Sequence, residues 1–284
     1  APIIKSIPYV VKPDEIIPGI ANYYATTMYD GHDFASILVK NREGRPIKID
    51  ANKSGTNSRV QASILSLYDS SRLKSPKYNG IDSDWNTVDS EISMQLKSIK
   101  NSGGKIAILT PTVLSASTKS LINDFSNKYN NVVHVQMDSV SYNGILNAND
   151  SSFGVRALPS YYFDQANVIV SFGADFLANW LGCDYAIDYA KARNPESGKM
   201  VKHYQIESTL SLSGSNADER LQIKPSEQSG LLYNLYTAIN GGKADSRIAK
   251  IANDLLKNKG KSIVVCNSND SQVQILVNAI NNKL

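Results

Sequence analysis

The chain has 284 residues, 30 Lys and Arg against 26 Asp and Glu, and a formal net charge of +4. Its basic residues are scattered and form no dense stripe, so nothing points to a nucleic-acid partner. No apolar run approaches the length of a membrane-spanning helix and no signal-peptide pattern opens the chain, whereas the length suits one large α/β unit with a small appendage, or two domains.

Residues 1–24 hold four of the ten prolines (Pro2, Pro8, Pro13, Pro18) and read as an extended arm. Two alternating apolar runs in residues 34–50 flank Asn41-Arg42-Glu43-Gly44, the pattern of a hairpin closed by glycine. Val60, Ile64, Leu67 and Tyr68 give residues 57–69 the spacing of a short amphipathic helix. Residues 86–100 predict a longer one, capped by Thr87, with Val88, Ile92, Leu96 and Ile99 as its stripe and Gly103-Gly104 as its stop. Strands at 105–110 and 131–137 around a helix at 115–129 make a parallel βαβ unit.

Residues 138–161 read as a polar, irregular loop, long enough to carry function. Beyond it the pattern predicts a strand at 167–172, a helix at 176–194 and strands at 200–206 and 220–224. Helices at 228–240 and 245–257, a strand at 262–266 and a last helix at 270–282 complete it. The expected fold is α/β, doubly wound on a mostly parallel sheet, with a small β-rich N-terminal part. Residues 1–80 hold the arm, hairpin and short helix, and residues 81–284 the α/β domain or domains.

The stretch that organises the chain is DQANVIVSFGAD, residues 164–175. It is a Val- and Ile-rich strand ending at Gly173, where the backbone bends sharply. In an open parallel sheet ligands sit outside the carboxyl ends of strands, so a nucleotide-like group would lie there if one is bound; an ordinary core strand and turn is the simpler reading. The hydroxyl-rich run STLSLSGSN, residues 208–216, follows another strand and reads either as a phosphate cradle or, more simply, as a solvated loop. His32, His134 and His203 lie in different elements with no visible partner. Cys183 and Cys266 are far apart and read as buried free thiols, with a disulfide between them as the alternative that nothing indicates. No dinucleotide fingerprint, Walker loop or nucleophile elbow is present. No catalytic or metal-ligating residues are expected.

Four stretches recur in a known order. They are ILVKNREGRPIKIDANK; NSRVQASILSLYDSSRLKSP, with Gln61-Ala62, Leu67-Tyr68-Asp69, Arg72-Leu73 and Pro76 in register; ANVIVSFGAD; and IESTLSLSGSNADERLQIKPSEQSGLLYNLY. Together they resemble the molybdopterin oxidoreductase family over most of residues 23–240, and imply its fold. The departures are as informative. The positions of that family's four cluster cysteines fall near Met28, Gly31, Ala35 and on Asn57, and its lysine on Arg59, so an iron–sulfur cluster has no ligands here. Asp175-Phe176 replaces the turn's Asn-Pro, and Glu207-Ser208-Thr209 replaces an Asp-Pro-Arg.

The resemblance therefore implies a vestigial cofactor cleft at Gly173, Asp175, Glu207, Ser208, Thr209 and Ser213, with no cofactor bound. It is similar to the cofactor-free amino-terminal half of the iron–sulfur subunit of bacterial alternative complex III. That implies a non-catalytic scaffold, the first part of a longer subunit, in a periplasm-facing quinol-oxidising electron-transfer complex. The scaffold would be membrane-associated through its partners: a cluster-bearing ferredoxin-like domain and other subunits. The alternatives are a fragment of an active molybdopterin-guanine-dinucleotide oxidoreductase, binding through the Gly173 turn and residues 208–216, and a small-ligand binding domain.

Overall fold

A computed structural model describes residues 11, 13–30, 33–53, 55–182 and 184–284. His32, Gly31, Cys183 and most of the proline-rich arm lie outside them. The chain forms two compact units, Ala1–Arg72 and Leu73–Leu284.

The first unit is an antiparallel sheet of β1 (Asn22–Tyr29), β2 (Phe34–Arg42) and β3 (Arg45–Ala51), in the order β1-β2-β3. The expected hairpin is β2–β3. Its turn is the pair Glu43-Gly44, both at positive φ (51° and 78°), which matches the twist of the flanking strands. Strand β1 was not foreseen, because its exposed, Tyr- and Thr-rich sequence shows little alternation. The helix expected at 57–69 is shorter: α1 (Ser58–Ala62) passes into a 3-10 turn, Ser63–Leu67.

The buried pair Asp33 and Asn57 is tied by a 2.6 Å hydrogen bond from the Asn57 amide. Arg59 clamps the same carboxylate at 2.7 and 2.9 Å. Asn57 also caps α1, accepting from the Val60 amide. The residues at two expected cysteine positions, Met28 and Ala35, face each other in the regular β1–β2 ladder.

The second unit begins with a small ladder, β4 (Lys77–Tyr78) and β5 (Ile81–Asp82). Then come α2 (Trp85–Asn101), β6 (Ile106–Thr110), α3 (Ala116–Tyr129) and β7 (Val132–Gln136). Strands β6 and β7 pair in parallel, as the βαβ reading requires. The cap of α2 is Asp84 rather than Thr87: the Asp84 carboxylate accepts from the Thr87 amide at 3.0 Å and from its hydroxyl at 2.7 Å.

The stretch read as an irregular loop contains a helix, α4 (Asn143–Phe153). Its run of Asn, Ser and Asp has poor intrinsic helix propensity, so tertiary contacts hold it. The Gly144 amide donates to Asn269 Oδ1 at 2.8 Å, and a Cβ at Gly144 would meet the Asn269 backbone at 2.4 Å.

The core follows: β8 (Val168–Phe172), α5 (Tyr185–Ala192), the short ladder β9 (Arg193–Asn194) with β10 (Lys199–Met200), β11 (Lys202–Glu207), α6 (Leu212–Asn216) and β12 (Glu219–Gln222). It closes with α7 (Gln228–Ile239), α8 (Ala249–Lys257), β13 (Ser262–Cys266) and α9 (Ser271–Lys283). The expected helix at 176–194 forms only in its second half. The carbonyl of Asp175 accepts from three successive amides, Ala178, Asn179 and Trp180, and Leu181 takes φ of 62°, which ends the turn.

The sheet runs β12-β11-β8-β13, every pair parallel. Period-two alternation sends its side chains to two cores. Val168, Val170, Phe172, Tyr204, Ile206, Val264 and Cys266 pack with α7, α8 and α9. Ile169 and Val265 turn to an aromatic cluster holding Phe163, Phe176, Trp180, Tyr185 and Tyr189. The protein is thus α/β, with a parallel sheet buried on both faces and an antiparallel N-terminal sheet. Among the described residues no helix is long and apolar enough to cross a membrane.

Candidate functional site

The residues of the expected cleft fall at and beyond the carboxyl ends of β8 and β11. Gly173 turns there at φ of 67°, and its amide donates to the Ile206 carbonyl at 2.8 Å. A Cβ at Gly173 would come within 2.8 Å of the Asn267 side chain, so both conformation and space call for glycine. Ser171 closes the turn, donating to the Ala174 carbonyl at 2.9 Å and accepting from the Ala174 amide at 3.1 Å.

The two carboxylates expected to repel a pyrophosphate are occupied by the chain itself. Asp175 Oδ1 accepts from the amide and the hydroxyl of Ser213 at 2.9 and 2.8 Å, and Ser213 Oγ in turn accepts from the Leu177 amide at 3.1 Å. Glu207, only 4% exposed, accepts from the Ser211 hydroxyl (2.6 Å), the Ser211 amide (3.1 Å), Gln205 Nε2 (3.0 Å) and Arg220 Nε (2.7 Å). Burial pushes the Glu207 carboxyl upward, but the Ser211, Arg220 and Gln205 hydrogen bonds outweigh it and hold it below its ordinary value.

Gly214 packs so closely that a Cβ would sit 2.0 Å from Glu207 Oε1. The structure therefore brings Asp175 together with Ser213, and Glu207 against Gly214. Thr209 stays exposed, and Ser208 offers only its carbonyl, to Gln222 at 3.4 Å. Part of the run read as a solvated loop is the helix α6, capped by Ser211.

Glu207 ends a polar ladder that sequence reasoning missed. His203, Gln205 and Glu207 alternate along β11 and share one buried face. Tyr189 Oη meets His203 Nδ1 at 3.1 Å, and His203 Nε2 meets Gln205 Oε1 at 3.1 Å. Burial lowers the His203 pKa to about 4, against weaker opposing effects of Gln205 and Asp218. The period-two spacing of three polar residues in an apolar strand was the available signal. Cys266, buried at the end of β13, has its thiol pKa raised by burial, which disfavours the thiolate. Among the described residues no group of three His, Cys, Asp or Glu side chains could hold a metal ion.

A second crevice, of about 780 Å³, opens beyond the carboxyl ends of β6 and β7. Lys119, Gln136, Asp138 and Arg156 line it. Asp138 accepts from the Thr112 amide at 2.7 Å and its hydroxyl at 2.5 Å. Arg156 donates to the side-chain oxygens of Asn143, at 3.0 Å, and Asn147.

No family model matches the chain, and no curated protein matches it. Among solved structures it is similar to a chain of the formyltransferase/hydrolase complex FhcABCD from Methylorubrum extorquens, determined with methylofuran. The TM-score is 0.51 and the identity 15%, over 69% of this chain and 55% of the other. The chain thus spans about half the length of that neighbour. The finding corrects the molybdopterin oxidoreductase resemblance, and with it the likeness to the alternative complex III subunit, since the neighbour belongs to a different family. The matched stretches do local structural work that the fold itself demands: Tyr68 Oη donates to the Pro46 carbonyl at 2.5 Å, Gly173 makes a strand-end turn, and Ser211 caps a helix. At 15% identity the likeness establishes a shared α/β fold and leaves activity to be argued from the residues.

Proposed function

We propose that this chain is a non-catalytic scaffold domain of a multi-subunit assembly. One observation carries the scaffold reading: the β6–β7 sheet has a bare apolar face. Leu109, Val133 and Val135 are 67%, 53% and 45% exposed, Ala107 is exposed beside them, and neither α2 nor α3 holds a single buried residue. Parallel sheets are ordinarily covered on both faces, and a two-stranded sheet is marginal alone. Contiguous exposed apolar surface of this kind marks an interaction site. The internally satisfied Asp175 and Glu207 support the same reading, because they occupy the Ser211, Ser213 and Arg220 donors that a phosphate would otherwise use.

Native electrophoresis of detergent-solubilised source membranes tests it. The chain is expected to migrate within a larger complex, and a Leu109→Lys, Val135→Lys double variant to migrate alone with an unchanged melting temperature. Unmodified chain migrating alone would overturn the proposal. The crevice beside Lys119 and Arg156 favours a second reading, a small-anion binding domain. A melting temperature raised by millimolar pyrophosphate, and no longer raised in Lys119→Ala, would establish that reading instead.

A further inference from the structure

Three Asn-Gly pairs occur in the chain: Asn79-Gly80, Asn143-Gly144 and Asn240-Gly241. Such a pair carries its own reaction. The glycine amide nitrogen attacks Cγ of the asparagine, the side-chain nitrogen leaves as ammonia, and a cyclic imide forms. Water then opens the ring at either carbonyl. One opening gives aspartate, and the other gives isoaspartate, in which the main chain runs through the side-chain carbons. No oxidant or cofactor enters. Glycine favours the attack because it has no Cβ to shield its nitrogen.

The reaction needs a free carboxamide and a free glycine amide, and the structure separates the three pairs on that ground. The Gly144 amide is buried and donates to Asn269 Oδ1 at 2.8 Å, while Asn143 Oδ1 accepts from Arg156 at 3.0 Å. The Gly241 amide donates to the Ala238 carbonyl at 3.1 Å, and Asn240 Nδ2 to the Tyr236 carbonyl at 2.9 Å. Both pairs must break two hydrogen bonds before they can react. Asn79 and Gly80 are exposed, and among the described residues neither the Asn79 side chain nor the Gly80 amide has a hydrogen-bond partner. A Cβ at Gly80 would meet nothing within 4 Å, so the space around this amide is open.

Asn79-Gly80 is the turn between β4 and β5, with both residues at positive φ (50° and 81°). The turn must relax to bring the nitrogen onto Cγ. Little resists this: each strand has two residues, and the rung behind the turn carries only the exposed Lys77–Asp82 pair at 2.6 Å. Local opening of so short a ladder costs far less than global unfolding.

We infer that Asn79-Gly80 is a self-modifying site, which converts spontaneously to isoaspartate and aspartate while the other two Asn-Gly pairs stay intact. The product replaces a neutral amide with a carboxylate, and its isoaspartyl form adds an extra main-chain atom to a turn built for two ordinary residues. This inference is independent of the scaffold role, since the hairpin is not part of the β6–β7 face.

Peptide mass spectrometry on the full chain, aged at mildly alkaline pH with and without urea, tests it. Methyl acceptance from S-adenosylmethionine, catalysed by a purified isoaspartyl methyltransferase, reports the isoaspartate. In the folded chain Asn79 is expected to convert at least tenfold faster than Asn143 or Asn240, with methyl acceptance rising in step. In urea the three rates should converge, and Gly80→Ala should slow conversion at Asn79 at least tenfold in urea, where the turn no longer matters. Equal rates at the three pairs in the folded chain, an Asn79 that converts only in urea, or conversion unaffected by Gly80→Ala would overturn the assignment.

Discussion

The four-stranded sheet β12-β11-β8-β13 and the two-stranded sheet β6-β7 are built from the same kind of parallel pairing, yet they meet their surroundings in opposite ways. In the first, every residue of β8 is buried and both faces carry a core. Its β13 edge is sealed by side-chain amides: Asn281 bonds both the amide and the carbonyl of Val264 at 2.8 Å, and Gln274 Nε2 donates to the Cys266 carbonyl at 2.9 Å. Such locks stop an exposed edge from recruiting another strand. In the second, one face is apolar and exposed, and no side chain among the described residues bonds the backbone of either strand. One sheet is finished within the chain. The other is left in the form that a neighbour would complete.

Paired truncations give the largest contrast. Phe172→Ala, at a fully buried position, is expected to cost about 3–5 kcal/mol, whereas Leu109→Ala on the bare face should change stability by less than ~0.5 kcal/mol. Urea unfolding followed by circular dichroism measures both, and a comparable loss at Leu109 would mean that its face is packed. Next in size is the acid sensitivity of the finished sheet. The His203 pKa near 4 in the folded chain lies below its ordinary 6.5, so the unfolded chain takes up the proton first. Stability from this group is complete above pH 6.5 and declines as pH falls toward 4, by up to ~1.4 kcal/mol per pH unit. In His203→Gln that slope between pH 6.5 and 5 should flatten; an unchanged slope would place the acid sensitivity elsewhere.

Glu207→Ala would leave Arg220, Gln205 and Ser211 without their shared acceptor. It is expected to cost about 3 kcal/mol and to unfasten α6, visible as faster amide exchange at residues 211–216. The smallest of these effects is at the turn. Gly173→Ala is expected to lower stability by about 1–2 kcal/mol, from the positive φ and the Asn267 contact together, and an unchanged melting temperature would contradict that geometry.

The finished sheet was the legible part of the sequence. VIVSF, SIVVC and the helices after them carry the apolar periodicity of a buried α/β core, and the β6–α3–β7 unit was readable for the same reason. What escaped was set by tertiary contacts. The helix α4 lacks an apolar stripe and depends on Asn269 and on its packing against α9, while the first turn of the expected helix at residue 176 is diverted at Leu181. Gly173, Asp175, Glu207 and Ser213 were legible as neighbours at strand ends. Sequence spacing could not show that Ser211, Ser213 and Arg220 would occupy the carboxylates, because hydrogen-bond partners across different loops leave no periodic trace. The family resemblance misled for a related reason: strand-end glycines, cap serines and a Leu-Tyr-Asp turn recur wherever such elements are needed.

The bare face is the feature on which the scaffold account stands, and carbene footprinting can read it directly. Labelling of Leu109, Val133 and Val135 would be compared between the isolated chain and the chain within solubilised source membranes, with the buried Phe172 and the exposed Tyr233 as fixed references. The account predicts strong labelling of the three residues in the isolated chain and several-fold protection in the membrane preparation. Equal labelling in both preparations would contradict it.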